Sequence, residues 1–169
     1  MERDWSPFRL READEPLQGP RAISTLEGVG DRLRAAAFAE IQAREAFLWA
    51  AGRFEDAPEG LRRAWRALAG QEDRHLGWLL ARLEALGIGV ADRPVSPRLW
   101  ESFVACSSAR EFALFMASAE ERGRVAGERF HRELLARDRV TAEIFGTIAA
   151  EEAEHVALAK RYSFPIGTS

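Results

Sequence analysis

The chain has 169 residues, 47% of them hydrophobic and 30% charged, with a formal net charge of -3. That length supports one domain with its own apolar core, and the lack of an overall basic field argues against nucleic acid as the partner. A single cysteine, Cys106, excludes an internal disulfide and is expected as a small core residue. No segment reaches the roughly eighteen apolar residues of a membrane span, and charges and prolines stand where a signal peptide needs an apolar run. The expected location is cytoplasmic, with no membrane partner.

Residues 1–24 carry Pro7, Pro16, Gly19 and Pro20 without periodicity and read as an N-terminal arm, wrapped or loosely ordered, with Trp5 and Phe8 favouring a wrapped one. Residues 25–169 form the predicted bundle domain. From about 25 to 54, Leu33, Ala36, Glu40, Ala43, Phe47, Ala50 and Phe54 recur at spacings of three and four, the pattern of an amphipathic helix. The stretch "EDAPEG" ends it. A second helix over about 58–86 starts at Pro58, stops at Gly87, and places Glu72 inside a file of leucines running from Leu61 to Leu86.

The segment "GIGVADRPVSPRLWESF" excludes a continuous helix and is long enough to return the chain along a bundle, with a short helical turn near Trp100. A third helix over about 108–137 carries Phe112, Met116, Glu120, Gly123, Gly127, Phe130 and Leu134 on one face. A fourth over about 140–161 carries Ile144, Ile148, Glu152, His155 and Ala159. No stretch alternates as a half-buried strand does. The fold class is therefore all-α, a four-helix bundle with one long crossover between the second and third long helices.

Each apolar face contains one glutamate, and two add a histidine three residues on, Glu72 with His75 and Glu152 with His155. A spacing of three is about 300° around a helix, so both side chains can reach one ion. Alone the pattern is weak, because His131 also follows Glu128 by three. Position sharpens it. Glu40 precedes Glu72 by 32 residues, with the midpoint in the "EDAPEG" break, and Glu120 precedes Glu152 by 32, with the midpoint beside "ARDRV". Antiparallel helices joined at those breaks hold each pair at one height. The halves repeat with an offset of 80: Glu40 to Glu120, Glu72 to Glu152, His75 to His155.

Four carboxylates and two imidazoles at one level form the ligand set of a binuclear centre. Oxygen donors with neutral imidazole suit iron first, with manganese or zinc as alternatives. Without cations, buried carboxylates repel one another and lose hydration, so they take up protons or loosen the bundle. Neighbouring acids compete for two of the positions, Glu45 with Glu40 and Glu121 with Glu120. His131 lies about 16 Å along the axis from Glu120, too far to join. Glu151 and Glu154 are expected to face solvent or to support a ligand histidine, Trp78 and Tyr162 to pack in the core in preference to lining the cavity or relaying electrons, and Arg44, Arg74, Arg122 and Arg124 to sit on the surface or clamp outward carboxylates.

The order Glu, Glu-x-x-His, Glu, Glu-x-x-His resembles that of the ferritin-like di-iron carboxylate superfamily, which includes rubrerythrins, ferritins and the tRNA hydroxylase acting on isopentenylated adenosine. The resemblance covers about residues 25–163. More narrowly, "QEDRHLGWLLARLEALG", "PVSPRLWE", "AEERG" and "TAEIFGTIAAEEAEHVALAKRY" are similar to a bacterial ferritin-like family catalogued as a domain of unknown function. That resemblance implies Glu40, Glu72, His75, Glu120, Glu152 and His155 as metal ligands, although "AAAFAEIQ" lacks the histidine that family carries near its first ligand glutamate. The implied function is a non-haem di-iron oxidoreductase using dioxygen or peroxide, with a small-molecule substrate, an external reductant and, as a further partner, a second copy in a homodimer. The alternatives are ferroxidation or iron handling without an organic substrate, and a purely structural metal staple. The chain lacks both a cysteine-rich rubredoxin segment and a long additional C-terminal helix, which lowers the self-contained peroxidase and cage readings.

Overall fold

The computed structural model describes residues 3–162, except the side chains of Ala159 and Lys160. The expected inward position of Ala159 and the chain after Tyr162 lie outside the described residues. Helices α1 (Leu26–Arg53), α2 (Glu59–Ala85), α4 (Ala109–Leu134) and α5 (Arg139–Arg161) form the bundle, and α3 (Arg98–Val104) lies in the crossover. No strand occurs among the described residues.

Local chemistry sets the helix ends. Thr25, Ser108 and Asp138 accept from the backbone N–H of Gly28, Glu111 and Thr141, satisfying first-turn donors of α1, α4 and α5. Helix α2 stops before Gly87, whose φ of 68° is open to glycine and strained for other residues.

α1 packs along α2, and α4 along α5, whereas α1 and α4 touch little. Two apolar clusters lie on either side of a polar level. One gathers Phe47, Trp65, Phe103 and Phe112; the other gathers Leu33, Leu79, Leu83, Leu134 and Phe145. Each such side chain contributes about 1.5–3 kcal/mol when buried. These two dry layers close off the polar groups between them at either end of the bundle. Cys106 is buried beside the first cluster.

The N-terminal arm is wrapped. Trp5 and Phe8 are buried against Phe38, and Trp5 also meets Trp100 edge-on at 5.9 Å between ring centres. Arg11 N donates to Val95 O and Val95 N to Arg9 O, both at 2.9 Å, joining the arm to the crossover. Gln42 fixes the crossover from below, with its amide oxygen accepting from Trp100 N at 2.9 Å.

Candidate metal centre

The six residues singled out by spacing meet at the level between the apolar clusters. Glu40 comes from α1, Glu72 and His75 from α2, Glu120 from α4, and Glu152 and His155 from α5. They form two overlapping groups, Glu40–Glu72–His75–Glu152 and Glu72–Glu120–Glu152–His155, with the candidate ligand atoms of each within 4.8 Å of one another. Glu72 and Glu152 belong to both. Glu72 and His75 are 0% exposed, while the Glu40 side chain keeps 12%.

The donors converge without satisfying each other. His75 Nδ1 lies 3.4 Å from Glu152 Oε1 and 3.7 Å from both Glu40 and Glu72. His155 Nδ1 lies 3.0 Å from Glu72, 3.2 Å from Glu152 and 3.5 Å from Glu120. Yet both Nδ1 atoms, both oxygens of Glu72 and Oε2 of Glu152 lack an aligned hydrogen bond. Buried polar atoms are almost always paired. Five orphans aimed into one small volume fit a cluster that could hold metal ions.

Protonation in the metal-free chain follows from the crowding. Burial, then the charge of Glu72, pushes Glu40 and Glu120 well above the usual carboxylate range. Burial also pushes Glu72 and Glu152 up, but Glu40 and Glu120 respectively, together with the two imidazoles, overcome it and hold both below that range. Burial alone would lower the histidines, but the surrounding glutamates carry each up to about 12. Two imidazolium ions, two carboxylates and two neutral carboxylic acids sum to zero charge. Two divalent ions with four carboxylates and neutral imidazoles give the same sum, so protons and metals are interchangeable counter-charges here.

The outer nitrogens of the imidazoles are held from behind. His75 Nε2 donates to Glu151 Oε2 at 2.7 Å, and Arg74 holds the same oxygen at 2.6 Å. His155 Nε2 donates to Gln71 Oε1 at 2.9 Å. Each partner comes from the opposite helix hairpin and leaves Nδ1 facing the cluster. The role of Glu151 agrees with one of the two sequence expectations. Gln71 was not foreseen, though a signal existed: Gln71 and Glu151 are also 80 apart, each directly before a cluster glutamate.

Other candidates are engaged elsewhere. Glu45 pairs with Arg3 and Arg44, and Glu121 with Arg124 at 2.7 Å. Glu154 is exposed. His131 Nδ1 donates to Ala142 O at 2.8 Å, beside Gly146. Trp78 lies against His75 with ring centres 5.5 Å apart, and Tyr162 packs on the first apolar cluster. Arg44 also clamps Asp73, while Arg122 bonds Ser118.

A cavity of about 580 Å³ opens where α1 and α4 diverge, with Glu40, Glu120 and Glu152 in its wall. This accounts for the exposed position of Gly123 on the otherwise inward face of α4. The arm and crossover form its roof.

An all-helical bundle of ferritin-like fold, enclosing carboxylates and histidines that could hold metal, is the class that fold and site define. Residues 7–164 match the family described as "Protein of unknown function (DUF455)", and the chain belongs to it. A solved structure, the dodecameric thioferritin described as a bacterioferritin-related protein from Bacteroides fragilis, is similar in fold. It matches with a TM-score of 0.69 and 20% identity, over 82% of this chain and 85% of that one. No curated protein matches the chain. Among the described residues no helix is long and apolar enough to cross a membrane.

Proposed function

We propose that the protein is a binuclear metal-carboxylate oxidoreductase, with iron as the first-choice metal, acting with dioxygen or peroxide on a small organic substrate. The observation that carries this reading is the pair of overlapping four-residue groups with five orphaned buried atoms. Glu40 and His75 would hold one ion, Glu120 and His155 the other, and Glu72 and Glu152, common to both groups, would serve the two together. A bound pair of redox-active ions supplies electron exchange with the oxidant.

The remaining work falls to the chain. Glu151 and Gln71 fix the imidazole planes and keep a proton on each Nε2, so that Nδ1 is free to bind metal. The apolar layers shield the carboxylates from bulk water at both ends of the cluster, leaving the cavity as the side of approach. The cavity beside Glu40, Glu120 and Glu152 supports an organic substrate over iron handling alone, since ions need no space of that size. With dioxygen as the oxidant an external reductant supplies the two electrons the substrate does not, and the working location is the cytoplasm. The second reading, iron handling without an organic substrate, draws on the name of the thioferritin neighbour.

Metal analysis of protein purified without added metal, combined with anomalous scattering from its crystals, tests the centre. Two ions per chain among the six residues, about 3.5–4 Å apart, are expected. A cluster that stays vacant with iron and manganese in excess overturns the proposal. Zinc alone would retain the site and remove the redox function, because zinc does not change oxidation state.

A further inference from the structure

The cavity between α1 and α4 has an uneven chemistry from depth to mouth. At depth are Glu120 and Glu152, both buried, the latter with an unpartnered oxygen. The walls are built from small side chains, including Ala36, Ala39 and Ala43 on α1 and Ala119, Gly123 and Ala126 on α4. Ala39 with Ala119 and Ala43 with Gly123 repeat the offset of 80, so both halves withdraw bulk at the same level. A Cβ added at Gly123 would meet nothing within 4 Å. The volume is in the range that encloses most of a small organic molecule.

Outside that depth the charged side chains on the largely apolar cavity surface are mostly arginines. Arg11, Arg32, Arg34, Arg93, Arg98 and Arg129 line it, in a chain whose net charge is -3. Apart from the three cluster glutamates, the acid among them is Asp31, which is already held by Arg21, Arg34 and Arg93. Two of the arginines have unused capacity. Arg11 donates from Nη1 to Glu15 O at 2.5 Å but its Nε is buried without a hydrogen-bond partner, and the exposed Arg98 guanidinium has no ion pair, hydrogen bond or ring partner among the described residues. Both belong to the roof, where Arg11 N pairs with Val95 O, three residues before Arg98.

We propose that the cavity binds an amphipathic organic anion, its hydrocarbon body between α1 and α4 and its carboxylate or phosphate head at Arg11 and Arg98. This rests on the oxidoreductase reading for its consequence, since it would bring a carbon atom to the cluster glutamates. The binding itself is independent of metal. A guanidinium fork matches the oxygens of either head group, and the small-residue walls give the body an apolar surface.

Calorimetric titration with decanoate, decyl phosphate, 1-decanol and decylammonium, on protein whose metal content is measured in the same sample, tests it. An anion should bind at least tenfold more tightly than the alcohol, and the ammonium should bind weakest. The ratio between decanoate and decyl phosphate assigns the head group. Arg11→Gln combined with Arg98→Gln should remove the preference for the anion while leaving the alcohol's affinity unchanged. Gly123→Leu should weaken every decyl ligand more than tenfold, with helicity and melting unimpaired because leucine is the better helix former. Equal affinity for all four head groups, or full binding by Gly123→Leu, overturns the proposal even if two metals are present. Selective anion binding by a chain that never takes up metal upholds the cavity and sinks the metal reading instead.

Discussion

Each helix hairpin supplies two glutamates and a histidine to the cluster, yet the two do not treat them alike. Behind His75 stands Glu151, a carboxylate shared with Arg74; behind His155 stands Gln71, a neutral amide. Farther out the contrast widens. Asp31, near the start of α1, is buried under three arginines, whereas Glu111, 80 residues later, is exposed and its carboxylate accepts from Ser107. The repeat is kept where donors must converge. It is lost where one hairpin also carries the arm and crossover.

The largest effects should come from the residues common to both halves. Replacing Glu72 or Glu152 with alanine should reduce bound metal from two ions towards none, while Glu40→Ala or Glu120→Ala should remove one, as read by metal analysis on protein of native helicity. If the four variants lose metal equally, the two groups are one indivisible site. Loading the wild type should displace about four protons at neutral pH: one from each imidazolium and one each from Glu40 and Glu120. Metal affinity should consequently fall as pH falls. An indicator-dye titration releasing fewer than about two protons would mean that the cluster is already ionised before metal arrives.

The anchoring of the arm comes next. Burial pushes the Asp31 carboxyl up, but hydrogen bonds from Arg21 and the charge of Arg93 overcome this and hold it below the usual range. Arg34, 2% exposed, depends on Asp31 for neutralisation and donates its other N–H groups to Val90 O and Gly89 O. Asp31→Asn should cost about 3 kcal/mol in urea unfolding, the scale for a buried pair broken on one side. Because the folded pKa lies below the unfolded one, this contribution is complete above the unfolded value near about 4 and declines as pH falls through the folded value. The variant should therefore show a flatter acid dependence than the wild type. Glu111→Gln should change little.

A finer contrast separates the two histidines. Glu151→Gln gives His75 the same kind of neutral partner that His155 has, and should weaken metal binding about tenfold or more at that half, within the range for supporting carboxylates. Gln71→Ala should have the smaller effect, since it removes a dipole and not a charge. Calorimetry resolves the point. Two unequal binding steps in the wild type should become nearly equal in Glu151→Gln, and unchanged isotherms would show that the outer partners do not govern affinity.

Much of this was legible in the sequence because it is periodic. Three- and four-residue spacing placed the long helices within a few residues of α1, α2, α4 and α5, and the 32- and 80-residue intervals put six donors at one level before any contact was visible. The crossover's glycines and prolines announced a break, with the turn near Trp100 appearing as α3. What escaped has no period. The pairing of Arg11 with Val95, and the grip of Arg34 on Val90 O, join segments far apart in sequence through single bonds. The cavity escaped for a related reason: Gly123 and Gly127 share one helical face, but only the divergence of α1 from α4 makes the first an open space and the second a contact.

That last difference yields the smallest and most discriminating test. A Cβ on Gly123 meets nothing within 4 Å, whereas one on Gly127 would lie 3.3 Å from both Ala149 Cβ and Phe145 O. One on Gly146 would press to 2.7 Å from His131 Nδ1, whose bond to Ala142 fixes the ring. Gly123→Ala should stabilise the protein by up to about 1 kcal/mol, the difference in helix propensity, and it places in α4 the residue that α1 already has at Ala43. Gly127→Ala should gain less or nothing because α5 must yield, and Gly146→Ala should destabilise by displacing His131. Chemical denaturation of the three variants orders them. A loss of stability at Gly123 would mean that α1 and α4 lie closer together than the open cavity requires.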